Sequence, residues 1–160
     1  MSALLGQLLL GLVNGSFYAI LSLGLAVIFG LLNVINFAHG ALFMLGAVFT
    51  WMGMNYFELN YWTMIVLAPL AVGLVGVVIE RLFLRWIYRL DHLYGLLLTL
   101  GLTLMLEGVL RSAYGVSGLP YSAPISGATN LGFMVMPNYR GFVVLASLVV
   151  CFLTWYVIEK

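Results

Sequence analysis

Any chemistry in this sequence has to come from a small set of polar side chains set in apolar runs. Gln7, Asn14, Tyr18 and Ser22 recur at spacings of seven, four and four, which puts them on one helical face. Gly11 and Gly15 lie on or beside that face and let another backbone approach. Two readings fit: interhelical packing with hydrogen bonds, or the lining of a solute path. Both turn the face away from lipid, where an unpaired polar group is costly. The run Asn33 to Gly40 places two amides, Asn33 and Asn36, and His39 beside a short uncharged turn. Asn36 is expected to cap the helix that follows, His39 to sit in its first turn, and Gly40 to permit close packing. A structural turn and a gating hinge both suit this segment.

Thr99, Thr103, Glu107 and Arg111 are each four apart and form a polar stripe that drifts slowly around a helix. Glu107 precedes Arg111 in the favourable order for a helical ion pair. The stripe reads either as self-neutralising or as facing a path near its outer mouth. Arg81, Arg85 and Arg89 repeat the spacing of four, with Leu82, Phe83, Trp86, Ile87 and Tyr88 between them. That is an amphipathic tail at a headgroup surface, where arginines snorkel to water or meet a cytosolic partner.

Catalysis has no foothold here. No Ser stands beside a His at a useful spacing, the sole Asp is Asp91 in a loop, and no glycine loop with a Lys cradles phosphate. His39 has no Cys, Asp or Glu near it in sequence, so a metal site is not expected. The single cysteine, Cys151, lies in an apolar run and builds no disulfide framework. The expectation is a non-enzyme with no cofactor of its own.

The elements that must position these residues follow from composition. Of 160 residues, 64% are hydrophobic and 7% charged, with a net charge of +1. A soluble domain carries roughly 25% charged residues, so a water-soluble globule, a disordered chain and a coiled coil are excluded. Six Lys and Arg offer no basic patch for nucleic acid. Crossing a bilayer takes about 20 apolar residues, and five continuous runs qualify: 4–29, 36–55, 62–84, 94–112 and 141–158. They do not alternate, so the expected class is all-α, a polytopic transmembrane bundle of about five spans. Residues 1–57 carry no charge, and with no basic start the first run reads as a retained span rather than a signal peptide. Residues 113–140 form the only long loop. The arginines at 81, 85 and 89 put residues 85–93 in the cytoplasm, the N-terminus and loop 113–140 outside, and Lys160 inside. The odd span count, ending on Lys160, suggests part of a longer protein.

Several stretches together resemble a known family. They are Asn14-Gly15-Ser16-Phe17-Tyr18, Leu23-Gly24-Leu25, Ile28-Phe29-Gly30, Val34-Ile35-Asn36-Phe37-Ala38-His39-Gly40 and Met44-Leu45-Gly46-Ala47. Further along come Glu80-Arg81, Leu98-Thr99-Leu100-Gly101-Leu102 and Pro137-Asn138-Tyr139-Arg140. The chain resembles the N-terminal portion of a branched-chain amino acid ABC transporter permease of the high-affinity uptake type. Urea and amide permeases of the same superfamily carry close variants, and a non-transporting membrane scaffold is the alternative from another class. The resemblance implies a multi-pass permease of the cell inner membrane, importing solute at the expense of ATP. It implies as partners a second permease subunit, two cytoplasmic ATPase subunits that would bind the ATP, and an external solute-binding protein. Family members continue for further spans and carry a loop that docks on the ATPases.

Overall fold

The computed structural model describes residues 2–32, 36–87, 90–121, 124–130, 132 and 134–159. Five long helices carry most of the chain: α1 (Ser2–Leu32), α2 (Ala38–Tyr56), α3 (Tyr61–Ile79), α5 (His92–Tyr114) and α6 (Asn138–Glu159). Beyond Ile79, α3 continues through a π-helical stretch, Glu80–Leu84, into one last turn, α4 (Arg85–Ile87). There the Arg85 N–H donates to the Glu80 carbonyl. Two three-residue strands, β1 (Ala128–Asn130) and β2 (Val135–Pro137), pair antiparallel with Thr129 opposite Met136.

Among the described residues, four helices are long and apolar enough to cross a membrane: Ala3–Gly30, Tyr61–Ile87, Leu93–Tyr114 and Asn138–Glu159. The sequence expectation of about five spans counts α2 as well, and α2 is the one that falls short. Its 19 residues hold His39, Thr50, Trp51, Asn55 and three glycines. That composition suits a helix enclosed by protein, and Ala38, Ala41, Leu45, Val48 and Gly53 are buried. Helix α2 still exposes Phe43 and Tyr56, and the other helices leave large apolar side chains such as Leu8, Leu74, Leu104 and Phe152 exposed, the surface a lipid-facing helix requires.

The chain divides into two compact units, Leu25–Tyr121 and Met1–Gly24 with Ser122–Lys160. In the first, α2 and α3 run antiparallel: a Cβ added at Gly46 would touch Val72, and one at Gly53 would run into the Met64 side chain. Glu58 turns the chain between them in the left-handed region, φ 51°, where a helix most often ends on glycine. The Leu59 N–H returns to the Gly53 carbonyl at 3.1 Å. Helix α5 runs parallel to α2, since Phe37 meets Thr99 at one end and Trp51 meets Tyr114 at the other. At that second end the Trp51 indole N–H donates to the Pro120 carbonyl at 3.0 Å, and Trp51 packs edge-on against Tyr56 and Tyr114.

In the second unit α1 packs on α6 through small and β-branched residues. Val13 and Ser147 are nearly inaccessible, and the Ser147 hydroxyl donates to the Ser16 carbonyl at 3.0 Å. The hairpin leads straight into α6. The Asn138 N–H donates to the Gly127 carbonyl at 3.1 Å, and the Thr129 hydroxyl donates to Asn138 Oδ1 at 2.7 Å. Gly127 is held at φ 102° against the Asn138 amide, so a side chain there is both strained and crowded. Sequence reading treats 113–140 as a plain loop; strands of three residues give too short an alternation to register.

Candidate functional site

The start of α2 gathers four of the residues singled out by sequence. A helix opening leaves backbone N–H groups without intrahelical acceptors, and inside a membrane no bulk water supplies them. Here two side chains do so. Asn36 Oδ1 accepts from the Ala38 N–H at 2.9 Å, and the Asn36 carbonyl accepts from the His39 N–H at 3.3 Å. The Phe37 N–H donates to the Thr99 hydroxyl at 3.3 Å. Thr99 is 0% exposed. Its own hydrogen turns back to the Gly95 carbonyl at 2.9 Å or that of Leu96 at 3.1 Å, which leaves its lone pairs for Phe37. Thr103 lies one turn on and donates to the Thr99 carbonyl at 2.8 Å. His39 is half-buried on the first turn of α2.

Depth follows from arithmetic. Thr99 stands seven residues past His92, the start of α5, which is about 10 Å along the helix. Because α2 runs parallel to α5 and begins beside Thr99, it opens inside the span rather than at its edge. Sequence alone suggested the Asn36 cap. It could not show that Thr99, 62 positions away, supplies a second acceptor, since that link exists only in the fold.

The remaining candidates do not join this cluster. Ser22 is exposed and donates to the Ala19 carbonyl at 3.1 Å. Glu107 and Arg111 approach to 3.8 Å on a largely exposed face of α5, a pair worth about 0–1 kcal/mol. The stripe from Thr99 to Arg111 therefore drifts from a buried contact with α2 to an open surface. Asn14 and Tyr18 are exposed on α1, Tyr18 at 71%. An added Cβ at Gly11, Gly15 or Gly40 meets nothing within 4 Å. Among the described residues, none of these three glycines is pressed against another helix. Packing of α1 onto α6 uses Val13 and Ser16, on the opposite side. Arg81 and Arg85 are exposed on the π-helical stretch and α4, and Arg89 lies outside the described residues.

Most serine and threonine hydroxyls on the described helices are satisfied locally, Ser147 being an exception. Ser16 donates to Val13 at 2.6 Å, Thr50 to Gly46 at 2.9 Å and Thr154 to Val150 at 2.8 Å, each to a carbonyl of its own helix. Such back-bonding lets a hydroxyl sit among apolar groups without a wet cavity. Two contacts escaped the sequence reading. Ser147 shares the apolar run 141–158 with Thr154, and nothing in the sequence marked which of the two hydroxyls bridges to another helix. The Trp51–Pro120 link had none, because it depends on where the chain after α5 folds back.

Comparison with known proteins adds kinship to this geometry. The profile of the family described as "Branched-chain amino acid transport system / permease component" matches residues 7–160. Over 111 residues the chain is 29% identical to the high-affinity branched-chain amino acid transport system permease protein BraD of Pseudomonas aeruginosa, covering 64% of this chain and 36% of that protein. Over 124 residues it is 26% identical to the permease protein LivH of the corresponding high-affinity system of Escherichia coli K12, covering 69% of this chain and 39% of that protein. LivH of Salmonella typhimurium is similar at 25% over 124 residues, with the same coverage. The chain thus spans a little over a third of the length of these relatives. No solved structure matches it.

Proposed function

The chain belongs to the family of permease components of branched-chain amino acid transport systems, and from that premise we propose that it is a membrane-spanning subunit of an ATP-binding-cassette importer for branched-chain or related amino acids. It is a multi-pass protein of the cell inner membrane. In this reading a second permease subunit completes the path, two cytoplasmic ATPase subunits bind the ATP, and an external solute-binding protein delivers the solute. Among the described residues, Arg81 and Arg85 are exposed cationic groups available to a cytoplasmic partner, and Arg89, outside them, belongs to the same set.

The opening of α2 supports this reading most. An interrupted crossing inside a membrane is tolerated where its freed backbone groups find acceptors. Asn36 and Thr99 meet that need, accepting three hydrogen bonds from the N–H groups of Phe37, Ala38 and His39. Only one of them, from Phe37 to Thr99, ties α2 to α5. A shift of α2 along α5 would exchange that single bond while leaving the Asn36 turn intact. The Trp51 contacts with Tyr114 and Pro120 at the far end of α2 would have to shift with it.

The test is uptake of labelled leucine, isoleucine and valine, with urea and acetamide as competitors, by cells carrying the complete transport system and lacking their own. ATP-dependent accumulation of the amino acids, lost when this subunit is deleted, is the expected result. Accumulation of urea or amide instead would overturn the substrate class, and deletion without effect on any uptake would overturn the transport role. His39→Gln keeps hydrogen bonding and cannot take a proton; it should retain most uptake. Loss of uptake with normal assembly would assign His39 a protonation step.

A further inference from the structure

Helix α2 is held to α5 at both ends, and the two holds differ in kind. At its opening the Phe37 N–H meets the hydroxyl of the fully buried Thr99. At the other end Trp51 is clasped by the last turn of α5 and the segment that follows it. Its ring packs edge-on against Tyr114, with centroids 5.7 Å apart, and its indole N–H donates to the Pro120 carbonyl at 3.0 Å. The next residue, Tyr121, lies against Tyr61 at the start of α3, with centroids 6.5 Å apart. Residues 115–121 therefore run as a strap from the end of α5 to the end of α2 and the start of α3. All of these contacts fall within the compact unit Leu25–Tyr121.

The strap is held by little that is buried. Val116 is 85% exposed, Tyr121 44%, and Pro120 is exposed as well. Segments with few buried apolar contacts open at low free energy. The Trp51–Pro120 bond lies at the surface, where water takes over a lost partner and little net free energy goes with it. The base of the strap is free to turn. Gly115 leaves α5 at φ 80°, and a Cβ at Gly115 or Gly118 would meet nothing within 4 Å, so these glycines serve backbone freedom rather than close packing. The catch is stiff by comparison, since Pro120 has a fixed φ.

We propose that residues 115–121 form a releasable latch on α2: the strap holds Trp51 in one state of the transporter and lets it go in another. The inference rests on the transport reading above and on α2 shifting against α5. Tyr114 belongs to α5 and Pro120 to its continuation, so α2 cannot travel along α5 while Trp51 stays clasped by both. Release at Trp51 and exchange at Thr99 are then two ends of one movement. A permanent brace makes the opposite prediction, a strap that stays closed throughout.

The test is uptake of labelled leucine by cells carrying the complete transport system, with the full chain in a Cys151→Ala background. Tyr61→Cys and Tyr121→Cys together are bridged by an ethane-linked bis-methanethiosulfonate, which dithiothreitol cleaves. Locking the strap should lower uptake at least fivefold, and reduction should restore it; each single-cysteine variant treated alike should keep its uptake. Uptake that survives a completed bridge would overturn the latch alone. Failure of the pair to bridge would overturn it too, because the strap would then not lie against α3. No uptake by the system before any cysteine is introduced would overturn the transport reading, and the latch with it. A second measurement needs no lock. Leu119 is half-buried on the strap, so Leu119→Cys should react with N-ethylmaleimide at least threefold faster during leucine uptake than in de-energised cells. Trp51→Phe keeps a ring and loses the hydrogen bond, and should bring the resting rate up towards the working one. Equal rates under all three conditions would mean the strap never opens.

Discussion

Ser147 donates its hydroxyl hydrogen to the carbonyl oxygen of Ser16 at 3.0 Å, where α6 crosses α1, and both side chains are buried. A serine there does two jobs: it is small enough for the backbones to approach, and it gives the neighbouring helix a hydrogen bond. Ser147→Ala keeps the size and loses the bond, and should cost about 0.5–1.5 kcal/mol. Ser147→Leu also forces the helices apart and should cost about 1–3 kcal/mol more. Thermal melts of the detergent-solubilised transporter measure the difference. Equal melting for Ser147→Leu and the unaltered protein would mean the two helices do not meet at this point.

The opening of α2 yields a coupled pair. Asn36→Ala removes a cap and should cost about 0.5–2 kcal/mol. Thr99→Val keeps shape but orphans the Phe37 N–H in a part-buried site, costing about 1–3 kcal/mol. Both should lower uptake more than they lower expression. Since both side chains serve adjacent N–H groups of one turn, the double variant should depart from additivity by about 0.5 kcal/mol or more. Strict additivity in a double-mutant cycle would show that the two acceptors act independently.

Close packing between α2 and α3 is concentrated at Gly53. A methyl group added there would run into the Met64 sulfur and its terminal carbon, and Met64 is buried at 5% exposure. Gly53→Ala should destabilise by about 1–3 kcal/mol through overpacking. Met64→Ala in the same chain should recover part of that loss by making room. If Gly53→Ala melts as the unaltered protein does, Met64 swings aside freely and the contact is loose.

Topology is open to direct labelling. Arg81 and Arg85, exposed at the end of α3, predict a cytoplasmic place for residues 85–93. The same rule predicts that loop residue 126 lies on the other side. Asp91→Cys and Ser126→Cys, each in the Cys151→Ala background, should react with a membrane-impermeant reagent from opposite faces. Reaction of both in intact cells would overturn this topology.

Helix positions were legible in the sequence because a bilayer imposes a long apolar run, and such runs need no knowledge of neighbours. The expected 94–112 and 141–158 lie inside the observed His92–Tyr114 and Asn138–Glu159. The lower apolarity of α2 was visible too, in His39, Thr50 and Asn55, but its meaning came only with its burial. Asn36 as a cap was legible because capping is local. Thr99 as the second acceptor and Ser147 as a bridge were not, since each joins positions far apart in the chain. The glycines at 11 and 15 announced a close approach, and among the described residues a Cβ added at either meets nothing within 4 Å.

The π-helical stretch at Glu80–Leu84 bears on how this segment tolerates a change of length. A single π turn is an α-helix that has taken in one more residue, with the surplus absorbed as a bulge. Excision of one residue within 80–84 would therefore let the ordinary ladder close up, with the flanking turns still in phase. A one-residue gap at this place in an alignment of related chains would mark a smoothed bulge, with Trp86 and Ile87 still presented as they are here.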